Sequence, residues 1–344
     1  MQYLRSTTLA LAAALTIAAC SPIDEPAPSP SASQGPVPVT VVVHDSFYLP
    51  DELIADFEAS SGIDVTFTPA GDAGALVNQV ALTAGAPLGD AVYGIDNTFA
   101  SRAIESGAIA QVLPPSADAE ITLGDALTAI DYSDVCFNID LAAFPGDSPE
   151  TFDDLIAPEQ KGRISIPNPT TSSPGLALLL ATYATYDDGW ADYWRALRDN
   201  DVRITSSWSE SYLVDFSAPN YGGDFPIVLS YASSPPAEIV DDKPTTRALL
   251  DTCFRQVEYA GVLDGAAQPD AALEVIEWML SDEVQSALPE AMYVYPVSHT
   301  ATIPESWSEF APLAPRPITL PAETIDAVRD ELLREWDSIM LGGA

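Results

Sequence analysis

The chain has 344 residues, with 51 Asp and Glu against 13 Lys and Arg, a formal net charge of −38, and 47% hydrophobic residues. That hydrophobic share supports a folded core and excludes a disordered chain, and the length suits one large domain or two lobes of about 150 residues each. The charge excludes a nucleic-acid partner, because phosphate neutralisation needs clustered Lys and Arg, and makes small cations plausible partners.

Residues 1–20, MQYLRSTTLALAAALTIAAC, place Arg5 before an apolar run from Leu9 to Ala19 that is too short to span a bilayer and fits an export signal. The closing Ala19-Cys20 resembles a bacterial lipoprotein signal. That resemblance implies cleavage before Cys20, acylation of Cys20, and a protein lipid-anchored to the outer face of the cytoplasmic membrane, at the cell surface or in the periplasm. Residues 21–38 are rich in Pro, Ser and Ala, bury too little surface to fold, and read as a tether. The folded body is expected from near Val39.

Val39–Val43 is a continuous β-branched run, as in a strand buried on both faces of a parallel sheet. A helix follows, with Pro50 near its first turn, Leu53, Ile54 and Phe57 on one stripe, and Gly62 as its stop. Ile63–Phe67 alternates as a strand, Ala75–Leu82 reads as a helix, Asp90–Tyr93 as a strand and Asn97–Glu105 as a helix. Alternating strands and helices mean an α/β fold. The alternation continues through 163–166, 173–186, 189–198, 202–205, 209–216, 226–231 and 234–241. Helices dominate thereafter, at Asp270–Leu280, Asp282–Leu288 and Glu323–Leu341, the last with Ile325, Val328, Leu332, Trp336 and Ile339 on one stripe. The expected architecture is two lobes, each a mainly parallel sheet flanked by helices, joined by hinge strands. Residues 39–130 with 260–344 would make the first lobe, and 131–259, with the hinge strands, the second.

In an exported protein, Cys136 and Cys253 form an even pair in an oxidising compartment, and both lie in strand-like runs, so a disulfide is expected. No nucleophile elbow, P-loop, zincin or dinucleotide motif is present. The chain has only 2 histidines, too few for a His-based zinc site. His44-Asp45-Ser46 matches a catalytic triad in composition alone, because adjacent residues alternate sides of a strand. No metal, cofactor or catalytic residue is expected.

Read together, several segments resemble the thiamine-binding proteins of bacterial ABC importers, within the two-lobed periplasmic solute-binding family. They are Asp45-Ser46-Phe47, Gly94-Ile-Asp-Asn97, Ile130-Asp-Tyr132, Asn168-Pro-Thr-Thr-Ser-Ser-Pro-Gly-Leu-Ala-Leu-Leu-Leu180, Trp208-Ser-Glu-Ser-Tyr212, Val228-Leu-Ser-Tyr-Ala-Ser-Ser-Pro235 and Tyr295-Pro-Val297. The resemblance implies a monomeric, non-enzymatic receptor. It would close two lobes around thiamine, or its mono- or diphosphate, and deliver it to a permease with a cytoplasmic ATPase. Trp208, Tyr231 and Tyr293 fall where the family places ring contacts, and the polar surroundings of Trp208 argue against a packing role. Ser172, at a helix N-terminus, would hold the hydroxyl or phosphate end. Asp72 and Asp96 match acidic positions near the cleft, and His44, Asp45 and Ser46 lie at the end of the first strand.

Aromatic stacking is thinner than in the enteric members, with His44 and Ala237 where they have tyrosines and Tyr293 where they have a tryptophan. His44 would oppose a bound cation as it charges towards pH 6. The alternatives are an iron(III) or polyamine receptor on the same fold, a secreted enzyme, and a structural lipoprotein without a ligand.

Overall fold

A computed structural model describes residues 35–117 and 119–342. The leader 1–20, its Cys20 and the tether through residue 34 lie outside the described residues. The first strand starts at Val37, where Val37 and Pro38 already pair with Ile63 and Asp64, so the last two residues assigned to the tether belong to the sheet.

One mixed sheet of 11 strands runs through the body. Its main path is Ile63–Pro69, Val37–Val43, Ala91–Asp96, Phe254–Val262, Leu127–Asp140, Ile227–Tyr231, Ile164–Pro167 and Arg203–Thr205. The three strands at each end of this path are mutually parallel, as the βα alternation requires. The central pair is antiparallel to its neighbours and to each other. Leu127–Asp140, 14 residues long, pairs with Phe254–Val262 on one side and Ile227–Tyr231 on the other, and so joins the two halves, as a two-lobed fold with crossing strands demands.

The first strand shows how the layers form. Val39, Val41 and Val43 point to one face, against Phe57 and the helices Pro269–Met279 and Asp282–Met292. Val42 points to the other, against Leu76, Val77 and Val80 of the helix Ala73–Leu82. This is the period-2 alternation of a strand covered on both sides.

The C-terminal helix Ala322–Met340 bridges the two halves rather than staying with the first. Trp336 packs edge-on against Trp194, with ring centroids 5.7 Å apart, and Arg198 donates to the Ile339 carbonyl at 2.9 Å. Arg329, on the same helix, donates to Ser101 at 2.9 Å. Two local readings also shift. The helix expected from Asn97 starts at Ala100, because the Asp96 carboxylate takes the Thr98 and Phe99 N–H groups into a turn. Residues 209–216 form one helical turn at Trp208–Glu210 and then a wider turn at Ser211–Asp215.

Cys136 and Cys253 are disulfide-bonded, with Cα atoms 4.3 Å apart. The antiparallel register that sets Phe254 opposite Val135 brings them face to face.

Candidate functional site

The site lies beyond the carboxyl ends of the parallel strands, where α/β folds keep ligands. His44 to Tyr48 follow the first strand, Trp208 comes just after Arg203–Thr205, and Tyr231 ends Ile227–Tyr231. With Ser209, Leu213, Glu258 and residues 291–294 they line a cavity of about 280 Å³. A larger cavity of about 430 Å³ lies elsewhere, bordered by Ala232 and Ala248, which pack on the disulfide. Its arginine, Arg247, is committed to Glu150 through two bonds of 2.8 Å, and none of the nine expected site residues lines it.

Six of those nine residues meet in the 280 Å³ cavity: His44, Asp45, Ser46, Trp208, Tyr231 and Tyr293. Trp208 is only 7% exposed, so its polar neighbours misled: one face of its ring stacks on Tyr212, with centroids 5.1 Å apart and planes 11° apart. Its indole N–H donates to Ser230 at 3.0 Å, which fixes the ring. Tyr231 and Tyr293 stand 5.9 Å and 6.5 Å from it, completing an aromatic wall. Tyr293 holds a left-handed backbone (φ 60°) as the C-cap of Asp282–Met292, and its carbonyl accepts the Ser233 hydroxyl. A tyrosine in that conformation carries backbone strain of the kind that gathers at binding sites.

The first strand ends at Val43, so residues 44–47 turn instead of alternating, and Ser46 Oγ comes within 2.8 Å of His44 Nδ1. Gly94 makes room for the imidazole: a Cβ there would stand 2.4 Å from His44 Cδ2, at a φ of +100° that side chains rarely adopt. Burial pushes the His44 pKa below its ordinary value, and the charges of Asp72 and Asp45 only partly offset this. The charging expected of His44 as pH falls is therefore shifted to lower pH.

Asp72, Asp96 and Ser172 do not line the cavity. Asp72 caps the helix Ala73–Leu82 through Ala73 N–H at 2.7 Å and accepts the Trp208 N–H at 2.8 Å, tying opposite ends of the sheet. Burial lifts its carboxyl to about 6, with the Trp208 N–H and the Ser172 hydroxyl acting against the rise. Ser172, fully buried, gives no hydrogen bond to its helix Ser173–Tyr186, and its Oγ has no hydrogen-bond partner among the described residues. Asp96, fully buried, accepts from Thr98 Oγ1 at 2.7 Å and caps a turn, and burial lifts it to about 6.

Sequence reasoning missed Glu258. On Phe254–Val262 the inward face reads Phe254, Gln256, Glu258, Ala260, Val262, and all five are buried. An acid inside an otherwise largely apolar alternation was the available signal.

Residues 87–312 match the model of the bacterial extracellular solute-binding protein family. The chain belongs to that family. The thiamine-binding periplasmic protein of Escherichia coli (strain K12) is 28% identical over 309 residues, covering 87% of this chain and 92% of that protein. The thiamine-binding periplasmic protein of Salmonella typhimurium is 27% identical over 308 residues, covering 87% of this chain and 92% of that one. A solved structure described as a periplasmic thiamin binding protein superposes on this binding protein with a TM-score of 0.79 at 25% identity, covering 90% of this chain and 98% of that one. The two-lobed α/β fold read from the sequence, and the resemblance that carried it, stand. Among the described residues no helix is long and apolar enough to cross a membrane.

Proposed function

We propose that this protein binds thiamine in the 280 Å³ cleft and hands it to an ABC permease with its ATPase, without chemical turnover. In this reading the mature protein is a monomer held at the outer face of the membrane by acyl chains on Cys20. The observation that carries the reading is the lining: Trp208, Tyr231 and Tyr293 on one side, Asp45 and Glu258 on the other, and no Lys or Arg. Thiamine brings a permanently charged thiazolium ring and a flat aminopyrimidine. A cation over an aromatic face gains about 0.5–2 kcal/mol according to desolvation. The same lining disfavours added phosphate, so affinity should fall from thiamine to its monophosphate to its diphosphate.

Calorimetric titration with thiamine, both phosphates and spermidine tests this. One-to-one saturation by thiamine with spermidine silent is expected. Absence of heat together with an unshifted Tm would overturn it.

Closure of the cleft gives a second check. A Cβ on Gly74 would stand 2.8 Å from the Thr171 carbonyl carbon, where the starts of the helices Ala73–Leu82 and Ser173–Tyr186 meet. Ala75 N–H donates to Thr171 O at 3.2 Å at the same junction. Gly74→Val is expected to force this junction apart and weaken thiamine binding, and, because its Cβ would also stand 2.9 Å from Phe99 Cζ in the core, to lower the ligand-free Tm as well; an unaltered Kd would show that binding does not depend on this contact.

A further inference from the structure

Under the aromatic wall, three adjacent strands bring Tyr93, Asp131 and Glu258 together. Tyr93 and Asp131 are fully buried and Glu258 is 5% exposed. The Tyr93 hydroxyl lies 2.5 Å from Asp131 Oδ2 and 3.1 Å from Glu258 Oε2. A phenol has a single hydrogen to give, so one of these two contacts needs a proton from a carboxyl group. Repulsion between two buried carboxylates works in the same direction. Gln256 Nε2 donates to Glu258 Oε1 at 3.2 Å, which leaves Oε2 to Tyr93 and to His44, whose Nε2 is 3.9 Å away. That nitrogen is buried and has no hydrogen-bond partner. Of the two acids, Glu258 is the one that lines the cleft.

We infer that Glu258 is the specificity-determining group of the cleft, a carboxylic acid when the cleft is empty and a carboxylate when an aromatic cation is seated, its proton passing to solvent. The inference rests on the thiamine reading above and adds to it the charge partner and a proton linkage.

The surroundings supply no competing positive charge. The titratable neighbours are His44 and Asp45 after the first strand, Asp72 at its helix cap, Tyr93 and Asp96 on Ala91–Asp96, Asp131 on the long strand, and Tyr231 and Tyr293 from the wall. On its own strand, Arg255 is committed to Asp134 at 2.5 Å. Burial lowers His44, raises Glu258 to about 7 and raises Asp131 well above the usual carboxylate range. The two acids titrate as a pair, and Glu258, which lines the cleft, is the member that a seated cation meets. An arriving cation favours the carboxylate, so wherever the empty cleft holds the acid, binding expels a proton. Affinity then rises with pH up to about 7 and is level above it.

The test is the Kd for thiamine in the wild-type protein and in Glu258→Gln between about pH 6 and about pH 8.5, with binding heats taken in two buffers of unlike ionisation enthalpy. For the wild type, affinity should fall by up to about tenfold per pH unit below about pH 7, with close to one proton released per thiamine at the acid end. Glu258→Gln, its fold checked by near-UV circular dichroism, should bind with little pH dependence and no release. A flat wild-type profile, or a slope and proton release that persist in Glu258→Gln, would overturn the inference while leaving thiamine binding intact. The wild-type profile decides by itself if the variant does not fold. Failure of thiamine to saturate at any pH would overturn the thiamine reading and this inference together.

Discussion

Trp208→Ala is expected to weaken thiamine binding by about thirtyfold or more, equivalent to about 2 kcal/mol, because it removes the one ring of the wall whose orientation is fixed on both sides. The indole is held by Tyr212 behind it and Ser230 at its N–H, so the face it presents to the cleft needs no ordering when a cation arrives. Its backbone N–H, which donates to Asp72, survives the substitution, so the tie across the sheet is not the cause of the loss. The ring is also 7% exposed and part of the core, so Tm should drop as well. Trp208→Phe keeps a ring face and gives up only the Ser230 bond, and it should fall between the two. Equal Kd values for wild type and Trp208→Ala would remove Trp208 from the site.

Replacing both Cys136 and Cys253 by alanine should cost about 2–5 kcal/mol of stability, since their bond closes a long loop in the unfolded chain. The sequence separation is 117 residues, and the bond joins the long central strand to the residue just before its antiparallel neighbour. The expected readout is a Tm several degrees lower in the double variant and a similar drop for the wild type under strong reductant. Thiol labelling of the unfolded, unreduced body should find both cysteines blocked. Free thiols at these two positions, or a Tm indifferent to reductant, would contradict the bond.

The acid cluster shows where reading along the chain stops being enough. Asp131 and Glu258 are 127 positions apart in the sequence and become neighbours because their strands pair antiparallel, Glu258 opposite Asp131. Either one alone looks like an ordinary acid in a chain that carries 51. The same reason explains Asp72 and Ser172. Both were legible as helix starts, but that Asp72 would accept the N–H of Trp208, 136 positions away, depends on packing.

The sequence by itself determined the α/β alternation, the bonded cysteine pair and the aromatic residues that gather in the cleft. These follow from local rules: β-branched runs make strands, 3.6-residue stripes make helices, and an aromatic just past a strand end stands at the mouth of the sheet. Assembly of the fold was needed to show that Trp208 is a buried wall despite its polar neighbours, that burial lowers the His44 pKa, that the last helix bridges both halves, and that Glu258 lines the cleft. Each of these depends on burial and on partners supplied by distant strands, and desolvation and pairing are properties of the assembled fold, not of neighbours along the chain.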